Sequence, residues 1–315
     1  PELIPALVYK LSRRETAHAA GRALARYGES VLDVLGKVMS HPAEELAIRR
    51  QIPRILAFLG SRRSLDLLLA NLSVDDPSLR REVARAAVRV KDRLSTVSVP
   101  LEAVEAVIAN EVKEAFQLLG CLSDLGVPKG RSTLLHDALE ARVAWARERI
   151  FRMLGIIYPS KTVDLVFNNL SSPAANVRAN AVEVLDNMLS STVKRVLLPL
   201  VDDAPADARL RLGVALFALE RLEPEAWLKK LATGKDPWLR VCAVHEAGEL
   251  GLRSLTPQVM GCLADEDPVV RETAARALTQ LMTREDWQSS LSRLRDEPVD
   301  WVRRYTSSLH ETSAG

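Results

Sequence analysis

An arginine recurs along this chain at a fixed interval. Arg147, Arg178, Arg209, Arg240 and Arg271 are each 31 residues apart, Arg303 follows after 32, and Arg49 and Arg80 are again 31 apart. A period of this length marks a repeat architecture, in which each supersecondary unit buries its apolar face only by stacking on its neighbours. Two further units fit less closely: Lys113 takes the slot 33 residues after Arg80, and His18 precedes Arg49 by 31.

The residues around the slot say what the unit is. Three and seven positions beyond it come Ile52 and Leu56, Val83 and Ala87, Ile150 and Leu154, Ala181 and Leu185, Leu212 and Leu216, Ala243 and Ala247, Ala274 and Leu278. An apolar pair four apart lies on one face of a helix, here termed helix B. Gly60 and Gly251, eleven beyond the slot, have the place of C-terminal stops, with Gly28 and Gly155 similarly placed. A second apolar stretch, helix A, precedes each B helix, as at Ser64–Leu72, Thr162–Leu170, Val193–Leu200 and Leu255–Leu263. The A–B turn carries Asp76-Pro77, Asp236-Pro237 or Asp267-Pro268, or a relative such as Ser172-Pro173 or Glu297-Pro298. The aspartate suits a cap and the proline a first helical turn.

No stretch alternates with period two, and aromatics are only 4% of a chain rich in Ala, Leu, Val and Arg, which suits close-packed helices and not a sandwich or barrel. The expected fold is all-α: a right-handed α–α superhelix, a HEAT-like solenoid of about ten two-helix repeats with a period of about 31. The expected domain is a single solenoid over 1–315, with irregular spacing around 92–100 and 124–132 and a frayed tail at 306–315.

The net charge of +2 divides into +4 over residues 1–150 and −2 over 151–315. A dedicated nucleic-acid binder carries a larger excess, so nucleic acid is disfavoured as a partner. Three cysteines make no disulfide framework and suit a reducing, cytoplasmic compartment. No apolar run approaches the roughly 18 residues of a membrane span, and no secretory leader is recognisable. The chain opens on Pro1 without an initiator Met, so an excised piece of a longer protein is among the expectations.

The motif Asp-Pro-x-x-Arg followed by spaced small apolar residues resembles HEAT-like repeats, in their short bacterial form. A narrower resemblance lies between Arg147 and Asp203. It runs through Arg149-Ile150-Phe151-Arg152-Met153-Leu154, Tyr158-Pro159, Arg178-Ala179-Asn180-Ala181-Val182-Glu183-Val184-Leu185-Asp186-Asn187 and Leu197-Leu198-Pro199-Leu200-Val201-Asp202-Asp203. This stretch is similar to the soluble HEAT-repeat region of bacterial fusion proteins that begin with an ATP/ADP-translocase-like major facilitator transporter domain. That resemblance implies a regulatory region tethered to a membrane domain at the cytoplasmic face of the inner membrane. It assigns no transport activity to these residues.

In such stacks the slot arginine commonly reaches the aspartate of an A–B turn. Arg49, Arg80, Arg147, Arg178, Arg209, Arg240, Arg271 and Arg303 are therefore expected to form a structural ladder. A different row, two, five and nine residues beyond the slot, falls on one face of helix B, which in these folds lines the concave side. It holds Arg54, Arg85, Arg89, Arg149, Arg152, Arg211 and Arg276 with Gln51, Asn180, Asn187 and His245, interrupted by Glu82, Glu183 and Glu249. The expected partner-binding face is Arg54, Arg85, Arg89, Arg149, Arg152, Asn187, Arg211 and Arg276, taking a protein or an acidic or phosphorylated segment. A solvated mixed-charge face is the competing reading.

Cys242 and His245, three apart, with Cys262 twenty further on, are too few for a zinc site. No metal and no cofactor are expected. Trp145, Trp238 and Trp301 lie just before slot arginines and are expected to pack at turns. Glycine-rich phosphate loops, Gly-x-Ser-x-Gly and His-Glu-x-x-His are absent. The expectation is therefore a non-enzyme, an interaction or regulatory scaffold. The alternatives are a HEAT-like DNA-binding protein or alkylpurine DNA glycosylase, and a bilin lyase-like protein, for which no residue marks a chromophore site.

Overall fold

A computed structural model describes residues 2–94, 96–126, 133–283, 286, 299–300 and 302–304. The tail at 306–315, most of the irregular stretch at 124–132, the Glu297-Pro298 turn, Trp287 and Trp301 lie outside the described residues. Among the described residues all regular structure is helical, as the repeat demanded, and the fold class is that of the α–α solenoids.

In chain order the helices are α1 (Ile4–Tyr9), α2 (Arg14–Ala25), α3 (Leu32–Ser40), α4 (Leu46–Arg49), α5 (Ile52–Leu59), α6 (Arg62–Ala70), α7 (Pro77–Leu94), α8 (Leu101–Leu125) and α9 (Leu134–Ile157). They continue with α10 (Ser160–Asn169), α11 (Ala175–Met188), α12 (Ser191–Val201), α13 (Ala206–Phe217), α14 (Pro224–Ala232), α15 (Pro237–Glu249), α16 (Thr256–Gly261) and α17 (Pro268–Leu281). Contacts divide the chain into two compact units, one of residues 1–115 with 145–217, the other of 116–144 with 218–315.

In the first unit α2 packs on α5 and α5 on α7, a run of consecutive B helices, while α6 pairs with α7, α10 with α11 and α12 with α13. In the second unit α14 packs on α15, and α15 on α17. The helix starts follow the turn chemistry. The Asp76 carboxylate accepts from the Leu79 amide at 2.7 Å. Asp236 accepts from the Trp238 and Leu239 amides at 3.0 and 3.2 Å, and Asp267 from Val269 at 2.8 Å. Each bond satisfies a backbone donor that the first helical turn leaves without a partner. Gly60 and Gly251 end their helices in the left-handed region, at φ 65° and 63°, a conformation that costs a residue bearing a Cβ.

The B-helix pairs three and seven beyond the slot are core in six of seven repeats: Ile52, Leu56, Val83, Ala87, Ile150, Leu154, Ala181, Leu185, Ala243, Ala247, Ala274 and Leu278 are all buried. The seventh departs. Leu212 and Leu216 are 50% and 37% exposed, and α13 buries Leu210 and Gly213 instead. Apolar residues surround this helix (Leu210, Leu212, Val214, Leu216), so its periodicity does not select a face.

Two slots fall inside helices and not at turns. Lys113 lies in the middle of the 25-residue α8, and Arg147 in the middle of the 24-residue α9. The four residues before them, Ala109-Asn110-Glu111-Val112 and Val143-Ala144-Trp145-Ala146, include no proline or glycine to break the helix. Gly155 is likewise no stop, since α9 runs on to Ile157. A Cβ there would meet the Val88 side chain of α7 at 3.3 Å, so this glycine serves close helix packing.

Candidate functional site

The slot arginines bind backbone and carboxylate together. Arg80, Arg178, Arg240 and Arg271 each donate from Nη1 to the carbonyl six residues back, at 3.3, 2.9, 2.8 and 2.7 Å. Arg178 and Arg240 also reach the aspartate 25 residues ahead, Asp203 and Asp265, both at 2.8 Å. Each of these two forks ties the turn before its own helix to the next turn of the repeat, using the planar donor set that lysine lacks.

The other rungs differ. Arg80 pairs with Glu111 and Glu114, each at 2.7 Å. Arg49 donates to the Met39 carbonyl and Arg209 to that of Leu200. Arg303 pairs with Asp300. Arg147 has Ser172 where Arg178 has Asp203, and its buried Nε has no hydrogen-bond partner among the described residues. Burial, with the Arg209 charge nearby, lowers the Arg147 pKa.

The row offset from the ladder is partly assembled. On α5 and its first turn, Gln51, Arg54 and Phe58 stand two, five and nine beyond Arg49. Together with Leu11, His18, Gly21, Arg22, Arg26 and Ile55 they line a groove of about 770 Å³ across α2 and α5. Phe58 is 70% exposed there. A second depression of about 260 Å³ shares Arg54 and continues over Glu82, Arg85 and Arg89, the same three offsets on α7. Arg22, Arg26, Arg54 and Arg89 are exposed, and none has a side-chain hydrogen bond or ion pair among the described residues.

Other members of the row are committed elsewhere. Arg85 and Arg152 share Glu148, at 3.4 and 3.8 Å, and Arg152 also pairs with Asp164 at 3.1 Å. Arg149 requires a correction. Its side chain is 5% exposed and binds Glu111 at 2.8 Å, so it belongs to a buried ion cluster and has no place on a binding face. Asn187 on α11 and Arg211 on α13 are exposed but line neither depression. Arg276 on α17 is an exposed cation of the second unit, beside Glu272.

The buried cluster was not foreseen. Glu111, 3% exposed, receives Arg80 and Arg149 from either side, and Glu114 bridges the same two cations at 2.7 and 3.6 Å. Burial, reinforced by the Glu111 charge and partly offset by the arginines, raises the Glu114 pKa. In the second unit Asp124 accepts from Arg221, from the Leu222 amide at 3.2 Å and from the Trp227 indole at 3.0 Å. Burial works against ionisation of Asp124, yet these donors prevail and hold its pKa below the ordinary value. Asp236 behaves alike: burial opposes its charge, while Arg142 at 2.6 Å and its capping amides lower the pKa.

Trp145 and Trp238 are 44% and 45% exposed, Trp238 in the first turn of α15 and Trp145 within α9. Among the described residues no group of three or more His, Cys, Asp or Glu is arranged to hold a metal. The three thiols are buried. Burial raises the Cys121 pKa to about 12 and those of Cys242 and Cys262 to about 11. No helix among the described residues is long and apolar enough to cross a membrane.

A family profile of HEAT repeats matches residues 1–89 and 224–309. The chain belongs to the HEAT-repeat family. No curated protein matches it. Among solved structures, human deoxyhypusine hydroxylase in complex with glycerol is similar at 17% identity over 91% of this chain and 96% of that one, with a TM-score of 0.26. The CpcE–CpcF complex of phycocyanin lyase from Nostoc sp. PCC7120 is similar at 16% identity over 93% and 94%, TM-score 0.30. An engineered protein is similar at 18% identity over 99% and 89%, TM-score 0.27. The expectation of a non-enzyme is corrected by this finding: a hydroxylase and a phycocyanin lyase stand among the similar chains.

Proposed function

We propose that the chain is a protein-interaction or regulatory scaffold, and that its partner docks on the groove formed by α2, α5 and α7. The observation that carries this reading is a set of cations without a side-chain partner among the described residues: Arg22, Arg26 and Arg54 around a cavity of about 770 Å³ that holds an exposed Phe58, and Arg89 in the adjoining depression that shares Arg54. Interfaces draw their affinity from aromatic and arginine anchors set in such concavities. Neighbouring arginines repel one another, and a partner bearing carboxylates or phosphates removes that repulsion.

The resemblance of Arg147–Asp203 to the transporter-fused HEAT region supports the finer reading of a regulatory region on the cytoplasmic side of a membrane protein. Transporter-like spans upstream in the full-length gene product would support that tether, and a free-standing gene of this length would end it. The scaffold itself is tested by cross-linking the chain to its partners in its native host and mapping the linked residues. Links expected at α2, α5 and α7 should vanish in an Arg54→Glu/Arg89→Glu variant of unchanged circular dichroism. Links indifferent to that variant would overturn the site.

A further inference from the structure

The groove also constrains the chemistry of what lies in it. Its lining includes the apolar Leu11, Ile55 and Phe58, with the cations Arg22 on α2 and Arg26 just beyond its end, and Arg89 on α7 lines the adjoining depression that shares Arg54. Packed helices are about 8–10 Å apart, so the track from α2 through α5 to α7 runs roughly 20 Å. An extended strand at about 3.3 Å per residue covers that distance with about six residues. A cavity of about 770 Å³ lies within the range that buries a whole small ligand, more than one arginine head group needs. The cationic track is not continuous. Glu82, paired with Arg81 and Arg85, lines the same depression as Arg54 and Arg89. A nucleic-acid backbone, with a charge at every residue, would meet that carboxylate, whereas a peptide can place its charges on either side of it.

Resting on the scaffold reading above, we propose that the occupant is an extended protein segment of about six residues, with one large apolar side chain seated beside Phe58 and Ile55 and anionic side chains flanking it. The anions are carboxylates or phosphates, since both suit guanidinium groups.

A displayed random heptapeptide library, selected on the immobilised full chain at about 0.15 M salt, tests this directly. Enriched peptides should carry an aromatic or leucine anchor with at least two acidic neighbours. In fluorescence polarisation, replacing the anchor by Gly, or using Phe58→Ser, should each weaken binding at least about tenfold. Arg54→Glu with Arg89→Glu should do the same and flatten the salt dependence. A phosphoserine version binding more tightly than the carboxylate version assigns the anion to phosphate, and the reverse order to carboxylate. Arg276→Glu in the second unit should change nothing. The substituted side chains are exposed, and an unchanged melting temperature verifies that each variant folds. Enrichment of basic or uncharged peptides overturns the proposal, as does a short oligothymidylate that binds better than any peptide. Peptides that bind equally well to the Phe58→Ser and Arg54→Glu variants overturn this groove and leave the scaffold reading standing. A selection that enriches nothing, in a chain that also cross-links to no host protein, overturns both.

Discussion

Removing the Glu111 carboxylate should be among the most damaging single changes in the first unit. Its two oxygens lie 2.7 Å from Arg80 Nε and 2.8 Å from Arg149 Nε, and those side chains are 10% and 5% exposed. Glu111→Gln keeps the shape and deletes the charge, leaving two nearly buried cations to share Glu114. Breaking a buried pair by removing one partner costs about 3–5 kcal/mol. Glu114 compensates in part, because it contacts both arginines, though it is 43% exposed and 3.6 Å from Arg149. The lower end of the range, about 3 kcal/mol, is therefore expected. A cooperative unit of this size shifts by about 2–4 °C per kcal/mol, so its melting temperature should fall by roughly 6–12 °C. Scanning calorimetry and urea unfolding near pH 7.5 measure both quantities. The triple variant Arg80→Met/Glu111→Leu/Arg149→Met should recover most of the loss, since the pair as a whole is worth far less than its broken half. A single variant within about 1 kcal/mol of the parent would refute this account, and so would a triple variant no better than the single. The raised pKa of Glu114 adds a pH signature. A carboxyl whose folded pKa lies above its unfolded value contributes stability below the unfolded pKa and loses it as pH rises through the folded one. Glu114→Gln should therefore gain on the parent as pH rises above about 4.5, the ordinary value.

Three further outcomes follow from the geometry. Asp124 and Asp236 have lowered pKa values, so each contributes stability above its unfolded pKa and loses it as pH falls through the folded one; Asp124→Asn and Asp236→Asn should cost stability at pH 6 and much less at pH 2–3 in urea titrations, and an unchanged difference across that range would contradict the assignment. The three buried thiols should resist a disulfide reagent at pH 8 in the native chain and react fully in denaturant, whereas rapid native labelling would show that they open readily. A Cβ at Gly248 would lie 3.0 Å from both Cα and Cβ of Ala277, so Gly248→Ala should destabilise the second unit by about 1–3 kcal/mol despite the helix propensity of alanine, and a variant as stable as the parent would show that α15 and α17 can separate without cost.

How much of this was legible beforehand depended on whether the relevant force acts along the chain or across it. The 31-residue step, the Asp-Pro turns and the apolar pairs on helix B are local, and six of the seven pairs are core. Leu212 and Leu216 failed because α13 is apolar on several faces, so only its neighbours choose which face turns inward. Phe58 was missed although it stands nine beyond Arg49, the offset already assigned to Arg89 and Asn187. It is apolar, and nothing local reveals that such a residue faces solvent. Arg149 erred in the opposite direction: its offset placed it on the open row, and only the approach of Glu111 on α8 draws it into the interior.

The sequence by itself determined the helices, the repeat and the turns, because caps, prolines, C-terminal glycines and 3.6-residue periodicity act within one or two turns of the chain. The tertiary structure alone decided which arginines are staples, which are buried in a carboxylate cluster and which remain unpaired. An arginine's role is set by the charge across from it, and that charge can lie far off along the chain, 25 residues away for Arg178 with Asp203 and 63 for Arg85 with Glu148.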